Sequence, residues 1–139
     1  MGMFTWNDAY LLGVRLFDSE HRTLFALAHE LNEAVIHGEN TWAQKNLLNR
    51  FVNTLLTHFE HEEELMRHYR YSDLEEHTDE HQELAAQMLK MKQRLEAGAI
   101  SIPLDFTQSV RNWFDRHIRR YDQLAARHTH HNELIGLEA

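Results

Sequence analysis

Apolar side chains recur at three- and four-residue steps along four successive stretches of this 139-residue chain, which is the spacing of one face of an α-helix. Metal-binding side chains interrupt each of these stripes at positions that should face inward. Burying unpaired polar groups costs free energy, so their joint placement predicts a carboxylate-bridged pair of metal ions inside a helix bundle. The seven candidate ligands are His21, His58, Glu62, His77, His81, His117 and Asp122.

The same periodicity predicts an all-α fold. Four helices use nearly all of the chain, and the connections between them are short, so neighbouring helices should be antiparallel. The expected architecture is an up-down-up-down four-helix bundle with an extended N-terminal arm, formed as a single domain over residues 1–139. The predicted segments are an arm at 1–17 and helices at about 18–37, 41–69, 73–97 and 104–126.

Several residues suit the predicted helix ends. Asp18 is a candidate N-cap for the first helix, and Gly38 suits its C-terminal end. Thr41–Gln44 and Ser72–Glu75 have the spacing of capping boxes for the second and third helices. The apolar pattern of the fourth helix fades beyond Ala126, which predicts its end.

Composition excludes several classes of function. The net charge is −8, so nucleic acid and anionic membrane surfaces would on average repel the chain. The absence of cysteine excludes disulfides, thiolate catalysis and cysteine-ligated metal sites. We find neither a secretory signal nor about 18 consecutive apolar residues, so we expect a cytoplasmic protein without membrane insertion.

The spacing of the candidate ligands indicates how they could share two ions. His77 and His81 lie one helical turn apart and can bind the same ion, and His58 and Glu62 have the same spacing. Asp122 follows His117 by five residues, which should displace it around the helix and suits an oxygen that reaches a second ion. Iron, manganese and zinc all suit this mixture of imidazole and carboxylate ligands.

The number of donor atoms leaves room for a further ligand. Five imidazole nitrogens and two bidentate carboxylates supply nine donors, and one bridging solvent oxygen would fill two more positions. Two six-coordinate ions would then keep one open position, which distinguishes a ligand-binding site from a closed structural one.

The other histidines and the neighbouring acids are interpreted as surface or structural residues. His61 borders the face that carries His58, but Glu62 holds the better-aligned position. Glu60, Glu63 and Glu64 are interpreted as the solvated side of the second helix. The remaining histidines, expected to lie off the buried stripes or in the C-terminal segment, are His29, His37, His68, His128, His130 and His131.

Short motifs around the ligands resemble the hemerythrin family, in its single-domain prokaryotic form, over about residues 6–122. Ser72 is one departure, because the family often has proline there. The matching motifs are Trp6-Asn7, Asp18-Ser19-Glu20-His21, His58-Phe59, Glu62-Glu63 with Met66, His77 with His81, Trp113-Phe114, His117-Ile118 and Asp122.

The resemblance implies a non-heme centre of two iron ions, with dioxygen bound at the open position of the second iron. The ions would be bridged by Glu62, Asp122 and a solvent-derived oxo or hydroxo group. One iron would be bound by His77, His81 and His117, and the second by His21 and His58. The pocket around the open position would be lined by Leu24, Phe59, Trp113, Phe114 and Ile118.

On this basis we expect reversible dioxygen binding for oxygen storage or delivery, without enzymatic turnover. Oxygen or redox sensing through a partner protein is an alternative, and di-iron oxidase or peroxidase chemistry is a third possibility. Ferritin-like di-iron enzymes carry Glu-x-x-His motifs on two helices, and this sequence contains none. We expect a monomer, and the protein that would accept the oxygen is unknown.

Overall fold

The computed structural model describes residues 4–134, and these form a helical bundle preceded by an arm. A π-helical turn, Ile118–Asp122, joins the last two helices in continuous helical backbone, and a short 3₁₀ turn, Asp8–Tyr10, lies in the arm. The helices are α1 (Arg15–Ile36), α2 (Thr41–His68), α3 (Leu74–Glu96), α4 (Leu104–His117) and α5 (Gln123–Leu134).

Each of the helices α1 to α4 packs against two neighbours in the bundle. α1 contacts α2, α2 contacts α3, and α4 contacts both α1 and α3. With short connections between successive helices, this arrangement makes neighbours antiparallel and confirms the predicted all-α four-helix bundle. Within residues 4–134, none of the helices combines the length and hydrophobicity that crossing a lipid bilayer requires.

The apolar stripes meet in one core. Full burial of each large apolar side chain stabilises the fold by roughly 1.5–3 kcal/mol relative to exposure. Fully buried core side chains come from α1, α2, α3 and the π turn, and they include Leu24, Leu48, Leu55, Leu84, Met88 and Ile118.

The N-cap predicted for the first helix is wrong. α1 begins at Arg15, so Asp18 lies inside its first turn. The Asp18 carboxylate instead accepts hydrogen bonds from the backbone N–H groups of Leu12 at 2.8 Å and Gly13 at 3.1 Å. Asp18 therefore ties the end of the arm to the start of α1.

Both predicted capping boxes are also wrong. Asn40 caps α2, because its side chain accepts a hydrogen bond from the Ala43 N–H. Gln44 is fully buried and accepts a hydrogen bond from the Ile102 N–H at 2.8 Å, which links α2 to the α3–α4 connection. α3 begins after Asp73, whose side chain makes no cap hydrogen bond.

The fourth helical segment does not end near Ala126, as predicted, but continues to Leu134. The π turn inserts an extra residue and rotates the following buried face. Leu124 is consequently 48% exposed, whereas Thr129 is 1% exposed.

Two C-terminal histidines make hydrogen bonds to distant parts of the chain that the sequence did not predict. The His128 Nε2–H donates to the backbone oxygen of Tyr69 at 2.6 Å, and the His130 Nε2–H donates to that of Leu12 at 3.2 Å. α5 therefore closes over the α2–α3 connection and the end of the arm.

The arm follows the outside of the bundle and is fixed to it by aromatic contacts. The rings of Trp6 and Tyr10 lie 5.4 Å and 5.1 Å from that of Phe25 in α1. The Tyr10 hydroxyl donates to Asp115 in α4 at 2.8 Å. The arm thus bridges α1 and α4.

Candidate metal centre

The structure brings all seven predicted ligands together at one end of the bundle. They lie near the start of α1, toward the end of α2, near the start of α3, at the end of α4 and in the π turn that follows it. Each is at most 2% exposed, so the space between them is shielded from bulk water. Two groups of donor atoms form there: Glu62, His77, His81, His117 and Asp122 in one, and His21, His58 and Glu62 in the other.

The first group has three histidines facing one oxygen of each carboxylate. Glu62 Oε1 is 3.0 Å from His81 Nε2. Asp122 Oδ1 is 2.9 Å from His77 Nε2 and 3.0 Å from His117 Nε2. Donor atoms of three imidazoles and two carboxylates therefore surround one position that could hold a metal ion.

The other oxygen of each carboxylate faces the remaining two histidines, His21 and His58 for Glu62 and His21 for Asp122. Glu62 Oε2 is 3.2 Å from His58 Nε2 and 3.4 Å from His21 Nε2. Asp122 Oδ2 is 3.3 Å from His21 Nε2. Glu62 and Asp122 therefore each divide their two oxygens between the histidines of the first group and those of the second, which is the arrangement that a carboxylate bridging two ions needs.

The π turn explains how Asp122 reaches the site. In a regular α-helix, a residue five positions on is rotated by about 140° from the first, so Asp122 was expected to be displaced around the helix from His117. A π turn places residues five apart on the same face. This local geometry, which the sequence interpretation missed, puts Asp122 Oδ1 beside His117 Nε2.

The chemistry of the donor set fits a pair of metal ions. Within residues 4–131, both oxygens of Glu62 and Asp122 are buried without a hydrogen-bond partner, as are the Nε2 atoms of His77, His81 and His117. Buried polar atoms left in this state are costly unless a ligand satisfies them. Imidazole and carboxylate donors suit iron, manganese or zinc, and two such ions would satisfy these atoms.

The carboxylates raise the pKa values of three of the ligand histidines. Burial alone would lower the pKa of His21, but the nearby carboxylates of Asp122 and Glu62 raise it to about 10. Burial also opposes the shift at His58 and His81, but the Glu62 carboxylate raises the pKa of each to about 9. Burial alone would raise the pKa values of Glu62 and Asp122, but the surrounding histidines hold both well below their usual ranges.

Three further carboxylates lie behind the ligand imidazoles. Glu20 Oε1 accepts a hydrogen bond from His58 Nδ1 at 2.8 Å, and Glu63 Oε2 accepts one from His81 Nδ1 at 2.8 Å. Such partners fix the orientation of a ligand ring and leave its Nε2 lone pair free for a metal. Glu80 Oε1 lies 3.8 Å from the His117 Nδ1.

The interpretation of Glu63 as part of the solvated face was therefore wrong. A signal for these carboxylates exists in the sequence: Glu20 and Glu80 directly precede the ligands His21 and His81, and Glu63 directly follows Glu62. The side chains of Glu20 and Glu63 are only 19% and 22% exposed, respectively.

The five predicted pocket residues are all buried in the hydrophobic core. Phe59 stacks on the ring of His81 at 3.9 Å, and Trp113 stacks on that of His117 at 4.2 Å. Phe114 packs against other aromatic rings, and its exposure is 2%. Leu24 and Ile118 are fully buried. The ligands are consequently flanked by apolar and aromatic side chains.

The fold and the site define a four-helix-bundle protein with a buried cluster of histidine and carboxylate side chains that fits two metal ions. Residues 12–135 match the family model described as the hemerythrin HHE cation binding domain. The chain belongs to the hemerythrin family, which confirms the resemblance seen in its motifs.

Related proteins and structures agree with this assignment. A bacteriohemerythrin of Methylococcus capsulatus is 28% identical over 125 residues, covering 89% of this chain and 95% of the relative. One of Stenotrophomonas maltophilia is 25% identical, with coverage of 91% and 81%. The crystal structure of a wild-type hemerythrin has a TM-score of 0.84 at 26% identity and covers 90% of this chain and 96% of its own. Family and fold together support a di-iron, oxygen-binding type of protein.

Proposed function

We propose that this protein binds dioxygen reversibly at a di-iron centre, and that it serves oxygen storage or delivery. The observation that carries the proposal is the division of Glu62 and Asp122 between two groups of buried imidazole nitrogens. Two ferrous ions held there would supply the electrons that dioxygen takes up when it binds.

The protein's own residues would position the ions and keep the site dry. Five histidines against two carboxylates make a ligand set that is richer in nitrogen than that of ferritin-like di-iron enzymes. Phe59 and Trp113, stacked on ligand rings, would restrict water while admitting a small apolar gas molecule. These features support binding without enzymatic turnover.

The test is anaerobic loading with ferrous iron, followed by exposure to oxygen and its removal, monitored by visible absorption. We expect an oxygen-dependent absorption band that disappears when oxygen is removed and returns over repeated cycles. His77→Ala should abolish the band, because it removes a ligand of the three-histidine group, whereas His37→Ala should leave it unchanged, because His37 is 66% exposed.

The outcomes separate the candidate functions. Irreversible conversion to a ferric form would contradict reversible oxygen binding and favour sensing or enzymatic chemistry at the same residues. Sustained oxidation of an added substrate would favour an enzyme. The monomeric state, the cytoplasmic location and the unidentified oxygen-accepting protein stay predictions from the sequence.

A further inference from the structure

His61 lies outside the ligand set but is connected to it through one carboxylate. Its Nδ1 is 2.5 Å from Glu20 Oε2, and the other oxygen of Glu20 is 2.8 Å from Nδ1 of the ligand His58. A single carboxylate of α1 is thus held between two histidines of α2.

The helix geometry makes this arrangement possible. His58 and His61 are three residues apart, so they are neighbours on one face of α2, and Glu20 in α1 faces both. The side chain of His61 is 38% exposed, and it lines an open surface groove with Leu16 and Leu65. His61 can therefore be substituted without disrupting the core.

A glutamate held by only one hydrogen bond retains considerable freedom. Its side chain has several rotatable bonds, and fixing them costs conformational entropy. Glu20 is 19% exposed, so its carboxylate has access to water as an alternative to His58. The hydrogen bond from His61 removes this freedom, because it holds the oxygen that His58 does not use.

We propose that His61 is a positioning residue for the metal centre, holding Glu20 in place as the hydrogen-bond acceptor of His58. This role rests on the proposed function, because His58 is an iron ligand only if the second group of donors, His21 and His58 with Glu62, holds an iron ion. A carboxylate that accepts the Nδ1 proton fixes the ring orientation and increases electron donation from Nε2. Stronger donation favours ferric over ferrous iron, so His61 would lower the reduction potential of the centre.

The three carboxylates behind the ligands differ in how they are held. Glu63 hydrogen-bonds His81 from the same helix as Glu62, and Glu80 lies 3.8 Å from His117 Nδ1. Glu20 differs from both because it also accepts a hydrogen bond from a second histidine, His61, which lies on the same helix as the ligand His58. The proposal therefore concerns the two-histidine side of the centre.

The experiment compares His61→Ala with His61→Asn in the iron-loaded protein. Alanine removes the N–H donor, whereas the asparagine amide places an N–H near the position of His Nδ1. Reduction potential, rate of iron loss to a chelator and the exchangeable Nδ1–H resonance of His58 are measured. His37→Ala is the matched control, because it removes a histidine bonded to Glu33 on the surface.

We expect His61→Ala to raise the reduction potential, broaden or shift the His58 resonance and speed iron loss by about tenfold. His61→Asn should restore all three properties toward wild type, and Glu20→Gln should resemble His61→Ala. The control should match wild type.

Wild-type potential and iron loss in His61→Ala would overturn the proposal. Asparagine behaving like alanine would also overturn it, because the effect would then not depend on the N–H donor. A wild-type protein that retains no iron pair would instead contradict the proposed function, and the role of His61 with it.

Discussion

The two ends of the bundle bury polar side chains in opposite ways. At the end formed by the α1–α2 and α3–α4 connections, the Gln44 amide donates to Glu39 O and Ser101 Oγ and accepts from the Ile102 N–H. At the other end, the carboxylate oxygens of Glu62 and Asp122 are buried without hydrogen-bond partners in the described part of the chain.

This difference separates stability from binding. The Gln44 end satisfies its buried polar groups from within the chain, so it stabilises the fold whether or not a ligand is present. The metal end concentrates donors that satisfy one another poorly, so it depends on ions for full stability. If the two ends are independent, a substitution at one end should leave the property of the other end unchanged.

The largest effect is expected from Glu62→Ala. This substitution removes both oxygens that join the two groups of donors, so the protein should lose the ability to retain an iron pair. Iron per chain, measured after anaerobic loading and desalting, should fall far below that of wild type. Glu64→Ala is the control, because Glu64 lies exposed on the same helix; undiminished loading in Glu62→Ala would contradict the bridging role.

The second prediction concerns pH. In the metal-free protein, His21, His58 and His81 hold protons up to their raised pKa values of about 9 to 10. Iron binding needs neutral imidazoles, so uptake should release protons and strengthen as pH rises toward 9. Each proton released should increase affinity by about tenfold per pH unit, which metal titrations at several pH values can measure.

The stability of the metal-free protein should change with pH in the opposite direction. Stability from the three histidines is complete below their unfolded pKa of 6.5 and is lost as pH rises through their folded values. Stability from Glu62 and Asp122, whose pKa values are lowered, is present above their ordinary values and lost in acid. An iron affinity that does not change between pH 6.5 and 9 would contradict the predicted release of protons on iron binding.

A smaller effect is expected from Gln44→Ala at the opposite end. It leaves the buried Ile102 N–H without its acceptor, so the free energy of unfolding should fall by about 2 kcal/mol, measured by urea denaturation. Iron loading should keep its wild-type stoichiometry. Loss of iron in this variant would show that the two ends are coupled.

The smallest effect is expected at the turn after α2. The turns after α1 and α3, at the Gln44 end, place Gly38 at φ 66° and Gly98 at φ 112°, whereas the turn at the metal end places Arg70 at φ 55°. A residue with a Cβ is strained in this left-handed region. Arg70→Gly should raise the free energy of unfolding by up to about 1 kcal/mol, measured by thermal or urea denaturation.

The sequence predicted the parts of this molecule that depend on periodicity. Apolar stripes and i,i+4 pairs such as His77 and His81 placed the helices and the candidate ligands. Helix ends were less predictable, because Asp18 and Gln44 have side chains suited to caps but are used by tertiary hydrogen bonds. The roles of Glu20 and His61 depend on the approach of α1 to α2, which no local pattern encodes.

The π turn constrains the number of residues in the last helical segment, which runs from α4 through α5. Asp122 must face the metal end and Thr129 must face the core, and the added residue at 118–122 satisfies both. Deleting one residue there would rotate everything beyond it by about 100° and carry Thr129 away from the core. We therefore expect this stretch to tolerate substitutions far better than changes in its length.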